Sequence, residues 1–204
     1  MPITRKLSLA LAAILSAATV LPGPAFAQFS DSYKFLEAVR KRNDDDVQKL
    51  FEKNGQTIVN TRDLTTLDTP LHIAARTKNL RYVTFLISAG ANVNMRNSAG
   101  ETPLVIACNL GFIEAVEPLI AAGAKVDEPN STGETPLITA VHNRNIALMR
   151  LLLQAGANAD RKDNSGRSAR DYAALDPKSE TLLAEIKASS KAKPAGGKPV
   201  FGPN

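Results

Sequence analysis

A fixed period of 33 residues organises most of this 204-residue chain and limits what it can fold into. Asp68–Gly100, Glu101–Gly133 and Glu134–Gly166 align without a gap, the first two sharing 15 of 33 residues and the last two 12 of 33. A period of that length specifies one supersecondary unit repeated in series, each too small to bury its own apolar face. The stack, and not the unit, must supply the core.

Each unit reads as two helices and a turn. Thr69-Pro70-Leu71, Thr102-Pro103-Leu104 and Thr135-Pro136-Leu137 set a hydroxyl N-cap before a proline at the first helical position, where its missing N–H goes unneeded. A second helix follows, with apolar residues on one face: Val83, Leu86 and Ile87, then Val116, Leu119 and Ile120, then Met149, Leu152 and Leu153. Gly90, Gly123 and Gly156 stand where a left-handed residue ends such a helix. Asn97-Ser98-Ala99-Gly100, Asn130-Ser131-Thr132-Gly133 and Asp163-Asn164-Ser165-Gly166 close the units as turns. Only 5% of the residues are aromatic and Trp is absent, so the core is built from Ala, Leu, Ile and Val, which suits close-packed helices.

The run Thr69-Pro70-Leu71-His72-Ile73-Ala74-Ala75, the Gly-Ala after each second helix, the turn ending in Gly and the 33-residue spacing together resemble the ankyrin-repeat family. The resemblance covers 68–166 directly, as repeats 68–100, 101–133 and 134–166. It implies an all-α solenoid of helix–turn–helix units with β-hairpin-like turns. Upstream, in segment 28–67, Asp31–Arg42 and Asp44–Lys53 read as a capping helix pair, followed by an irregular hairpin over Gln56–Asp68 about three residues longer than the later ones. Downstream, segment 167–188 reads as a capping repeat, with Ser168 as N-cap and a second helix near Ser179–Ala188. This makes about five units including caps. Pro118, inside a second helix, predicts a local kink.

The ends differ in character. Arg5 and Lys6, the apolar run Leu7–Leu21 and Ala25-Phe26-Ala27 form the pattern of a secretory signal peptide spanning 1–27. That run is shorter than the ~20 residues a membrane span needs. The expected mature chain therefore starts at Gln28 without stable membrane insertion, in the bacterial periplasm or beyond. From Lys187 the chain is rich in Lys, Pro, Gly, Ala and Ser, and a disordered basic tail is expected over 189–204. Its lysines suit a solubilising tail, or contact with anionic lipid or an acidic partner.

The net charge of +5 lies in these ends: 19 basic residues face 20 acidic ones within Gln28–Ile186. A nucleic-acid-binding body carries a basic face, so no nucleic-acid partner is expected. One Cys and two His exclude an internal disulfide and a four-ligand Cys/His zinc site, leaving metal and cofactor sites as none. Cys108 stands where the preceding unit has Ala75 and reads as a packed thiol. No Ser or Cys nucleophile has a base at a recognisable spacing, so no catalytic residue is assigned. The resemblance implies that His72 hydrogen-bonds to backbone and links adjacent loops. His142, at the end of a first helix, reads as a contact residue, a pH-sensitive group or a solvated helix end.

The resemblance also implies a partner protein held in a concave groove of turn tips and first helices. Contacts would come from Ser98, Ala99 and Glu101, from Ser131, Thr132 and Glu134, and from Asn164, Ser165 and Arg167. The helix-end positions Arg76, Thr77, Asn109, Leu110, His142 and Asn143 would extend them. The expected role is protein binding without chemistry. Alternatives are an immunity or inhibitor protein against a periplasmic effector, or a stress-related assistant to a periplasmic enzyme.

Overall fold

A computed structural model describes residues 24–176 and 180–192. The helices are α1 (Pro24–Lys41), α2 (Asp44–Asn54), α3 (Pro70–Arg76), α4 (Leu80–Ser88), α5 (Pro103–Asn109), α6 (Ile113–Ala121), α7 (Pro136–His142), α8 (Ile146–Gln154), α9 (Ala169–Leu175) and α10 (Glu180–Ala192), with a short 3-10 turn at Gly55–Thr57. Successive helices pair within a unit. Between units, first helices pack on first helices, α1 on α3 on α5 on α7 on α9, and second helices follow suit from α4 through α6 and α8 to α10. Among the described residues the only β pairing is an isolated bridge between Lys162 and Ser168. The fold is an all-α solenoid.

The helix starts follow from hydrogen-bond chemistry. Thr69, Thr102, Thr135 and Ser168 each accept a backbone N–H of the first turn, that of His72, Val105, Ile138 and Asp171 respectively. Asn43, Asn79 and Asn145 cap second helices in the same way, whereas Phe112 at the equivalent place before α6 offers no side-chain cap. Its ring is buried instead. Gly90, Gly123 and Gly156 have φ of 88°, 89° and 92°, the left-handed backbone that lets Ala91, Ala124 and Ala157 donate back into the helix just ended.

One apolar cluster runs from the first unit to the last. Leu86, Leu119 and Leu152 belong to it and are all fully buried, with Phe35, Leu71, Leu104, Leu137 and Ile186. Phe51 of α2 meets Phe85 of α4 edge to face at 5.1 Å, carrying the packing across the first junction. Cys108 is fully buried and its thiol is pushed up to about 12, the state of a packed side chain.

Several details depart from expectation. α10 continues to Ala192, so a disordered tail does not begin at 189; Lys187–Ala192 contains no Pro or Gly, and Ala and Lys propagate a helix well. Residues 193–204 lie outside the described residues. α1 begins at Pro24 and runs through Ala25-Phe26-Ala27, while the rest of the expected signal segment, 1–23, also lies outside them. The first hairpin is longer by two residues, with fourteen positions from Gly55 to Thr69 against twelve from Gly90 to Thr102. Ile58 and Val59 of that loop are buried, which anchors it. Leu67, at the place of Gly100, takes a φ of 56° without the glycine that the later turns use.

A second periodic device, unread in the sequence, ties the ends of the second helices together. Asn60 donates to Gly90 O at 3.3 Å and accepts from Asn92 N at 2.8 Å. Asn94 does the same one unit later, donating to Gly123 O and accepting from Lys125 N, both at 2.9 Å. Asp127 accepts from Asn158 N at 2.9 Å, but a carboxylate has no N–H for the carbonyl of Gly156. The third clamp is therefore half made.

Candidate functional site

The turns between units project as a row of fingers, and their shape is fixed from within. Asn97 Oδ1 accepts from the N–H groups of Ala99 and Glu101, Asn130 Oδ1 from Thr132 and Glu134, and Asp163 Oδ1 from Ser165 and Arg167. In the first finger Asp63 plays this part for Thr65 and Thr66. Adjacent fingers are then joined. Ser98 N donates to Thr66 O at 2.8 Å and Asn164 N to Thr132 O at 3.2 Å, while Arg96, which also holds Gly100 O in its own finger, crosses the middle junction to Pro129 O and the carboxylate of Glu128.

His72 is the buried link of the first repeat. Thr69 N donates to its Nδ1 at 3.1 Å, which leaves Nε2 as the N–H that donates to Glu101 O at 3.0 Å, in the next unit. Its role is structural, as the resemblance implied. Burial holds the imidazole below its usual 6.5, because an added proton at Nδ1 would displace the Thr69 bond and charge a dry site. A depressed folded value means that the contribution is whole above about pH 6.5 and is lost as pH falls through that value towards the lower folded one. Urea midpoints measured from about pH 8 to about pH 5 should fall more for the native chain than for His72→Val, which carries the residue that Val105 supplies one unit later.

Along the ends of the first helices the fingers and helices make a second column. The acid before each N-cap binds the last residue of the first helix: Asp68 with Arg76 at 3.5 Å, Glu101 with Asn109 at 3.2 Å, and Glu134 with His142 at 3.5 Å. Arg76 also reaches Glu101 at 3.7 Å, and Thr139 donates to Asn109 Oδ1 at 3.3 Å, so the column is continuous over three units. In the fourth unit the pattern breaks. Arg167 stands at the acid's place and Leu175 at its partner's.

The residues expected to touch a partner fall into two groups. Ser98, Ala99, Ser131, Leu110 and Asn143 are exposed, with side chains that make no hydrogen bond or ion pair among the described residues; the guanidinium of Arg167 has only a ring contact, 5.9 Å from the centroid of Tyr172. The others are engaged within the chain. Arg76, Asn109, Glu101, Glu134 and His142 form the column, Thr77 donates to Ile73 O, Thr132 bonds to Asn130, Ser165 to Asp163, and Asn164 Nδ2 reaches Ser131 O at 3.4 Å. Tyr172, missed in the sequence, is central to the last unit. Its ring meets His142 edge to face at 4.4 Å, and its hydroxyl donates to Asp163 Oδ2 at 2.7 Å. That bond, with Ser165, holds the Asp163 carboxyl well below the usual carboxylate range.

A family model described as ankyrin repeats in three copies matches residues 35–130 and 114–189. The chain belongs to the ankyrin-repeat family. A search of curated proteins returns no match. Ankyrin repeats support a role in protein–protein interaction. No described helix is long and apolar enough to cross a membrane, and the described residues contain no group of three or more His, Cys, Asp or Glu placed to hold a metal ion.

Proposed function

We propose that this ankyrin-repeat chain is an exported binding protein that grips another protein along its fingers and first-helix ends and performs no chemistry itself. Export to the periplasm or beyond is supported by Arg5, Lys6, the apolar run Leu7–Leu21 and Ala25-Phe26-Ala27. One observation carries the binding reading: the finger backbones are locked within and between units, while Ser98, Ala99, Ser131, Leu110 and Asn143 are left exposed in a periodic row. A preorganised backbone with uncommitted side chains binds without the loss of loop entropy that a mobile surface suffers. Such a row over three repeats, with the flanking finger surface, can supply a standard interface of roughly 800 Å² per partner.

Ser98→Arg with Ser131→Arg tests this. Both serines are exposed with uncommitted hydroxyls, so the double variant should unfold at the native temperature. It should lose capture of the partner that the native chain retains from an extract of its compartment, whereas Thr84→Arg on the exposed side of α4 should keep it. Undiminished capture by the folded double variant would place the interface elsewhere.

A further inference from the structure

The acid column that closes each first helix reverses at its end, and the reversal leaves two groups uncovered. Three units in succession present a carboxylate answered by a polar side chain 33 residues in phase: Asp68 by Arg76, Glu101 by Asn109, Glu134 by His142. Continued by one period, these positions hold Arg167 and Leu175. A guanidinium cannot be satisfied by an isobutyl group. Arg167 makes no side-chain hydrogen bond or ion pair among the described residues, in contrast to Arg62 on Arg96 O, Arg76 on Asp68 and Glu101, Arg96 on Glu128 and Arg144 on Asp176. Leu175, its would-be partner, is 64% exposed.

The nearby carboxylates are already occupied. Glu134 accepts from Asn130 and faces His142, and Asp163 accepts from Tyr172, Ser165 and two backbone N–H groups. Asp171 caps its own helix start through Ser168, and Asp176 holds Arg144. Each of these carboxylates holds another group, and none is paired with Arg167. Beside it the His142–Tyr172 pair forms an aromatic wall, with Tyr172 pinned by its hydroxyl, so that the guanidinium lies against a fixed ring. An uncommitted Arg against a fixed Tyr has the composition of an interface anchor, at which a few residues carry most of the affinity, and Leu175, one turn along α9 from Tyr172, adds exposed apolar surface.

We propose that Arg167, Leu175 and the His142–Tyr172 wall form the anchoring subsite of the finger face, and that its occupant is a polypeptide segment of the partner bearing an Asp or Glu next to an apolar side chain. The carboxylate takes the fork of Arg167, as Asp or Glu takes the polar residue in the other units with charges exchanged, and the apolar neighbour covers Leu175 and the ring of Tyr172. The inference rests on the finger face being the binding surface and adds the chemistry of what is bound there.

A displayed library of random peptides, panned against the full chain, tests it. Enriched peptides should carry an acid adjacent to an aliphatic or aromatic residue. They should bind Arg167→Glu about tenfold or more weakly, and Leu175→Asp, which reads the same subsite should the first variant fold poorly, should weaken them likewise. Thr84→Asp, on the exposed side of α4 and off the finger face, should leave them bound. Peptides without acids, no enrichment, or enriched peptides that bind Arg167→Glu as tightly as the native chain would overturn the subsite. If peptides are kept on Arg167→Glu and Leu175→Asp but lost on Leu110→Asp, which lies in the binding row, the subsite falls while the finger face stands; insensitivity to Arg167→Glu, Leu175→Asp and Leu110→Asp removes both.

Discussion

Truncating Leu119 to Ala should lower the unfolding free energy by about 2–5 kcal/mol, the range for emptying a fully buried leucine site. Leu119 lies on α6 in the middle of the stack, between Leu86 on α4 and Leu152 on α8, and all three are wholly excluded from solvent. In a solenoid, neighbouring units stabilise one another, so the cavity weakens two interfaces besides its own unit. Urea unfolding followed by far-ultraviolet dichroism checks the magnitude. Leu175→Ala, which removes an exposed side chain at a helix end, should stay within about 0.5 kcal/mol of the native chain.

The second large effect concerns two glycines that the sequence makes equivalent. Gly133 and Gly166 end successive fingers with the same φ of 81°, and a Cβ at either meets a left-handed penalty of about 1–2 kcal/mol. The surroundings separate them. A Cβ on Gly133 would lie 2.7 Å from the backbone N of Asn164 and 2.5 Å from its Oδ1, whereas a Cβ on Gly166 would meet nothing within 4 Å. Gly133→Ala should therefore destabilise clearly more than Gly166→Ala, because it also forces apart the fingers joined by Asn164 N and Thr132 O. Thermal midpoints of the two variants decide the point, and equal losses would mean that these fingers do not touch.

The parts of the fold that were legible share one property: they are set by residues close together in the chain. Thr-Pro starts, Gly after the second helix and the Asn or Asp of each turn act on backbone within four residues of themselves, and the period then carries them from unit to unit. The Asn60, Asn94 and Asp127 clamps were illegible because each reaches some 30 residues ahead, to a carbonyl or N–H whose direction no local pattern reveals. Composition misled at the C-terminus. Lysine and serine enrichment from Lys187 suggested disorder, yet the first helix breaker there is Pro194, and α10 extends to Ala192.

The candidate site was half legible. Position in the repeat located the fingertips and helix ends, but it could not say which side chains were already bound to one another. Glu101, Asn109, Glu134 and His142 were expected to face a partner, and the structure adds that Glu101 binds Asn109 and Glu134 faces His142. Tyr172 was overlooked because it lies in the fourth unit, where repeat identity fades. Carrying the 33-residue period on from Glu134 and His142 to Arg167 and Leu175 would have exposed the break in the column from the sequence alone.

A photo-crosslinking amino acid placed singly at Ala99, Leu110 and Asn143 on the finger side, and at Thr84 and Gln154 on the second helices, tests the binding face most directly in the protein's own compartment. All five positions are exposed. Adducts to one protein from the first three positions, with none from Thr84 or Gln154, are the expected result. Adducts confined to Thr84 and Gln154 would contradict it, since the partner would then lie along the backs of the units and the fingers would be structural alone.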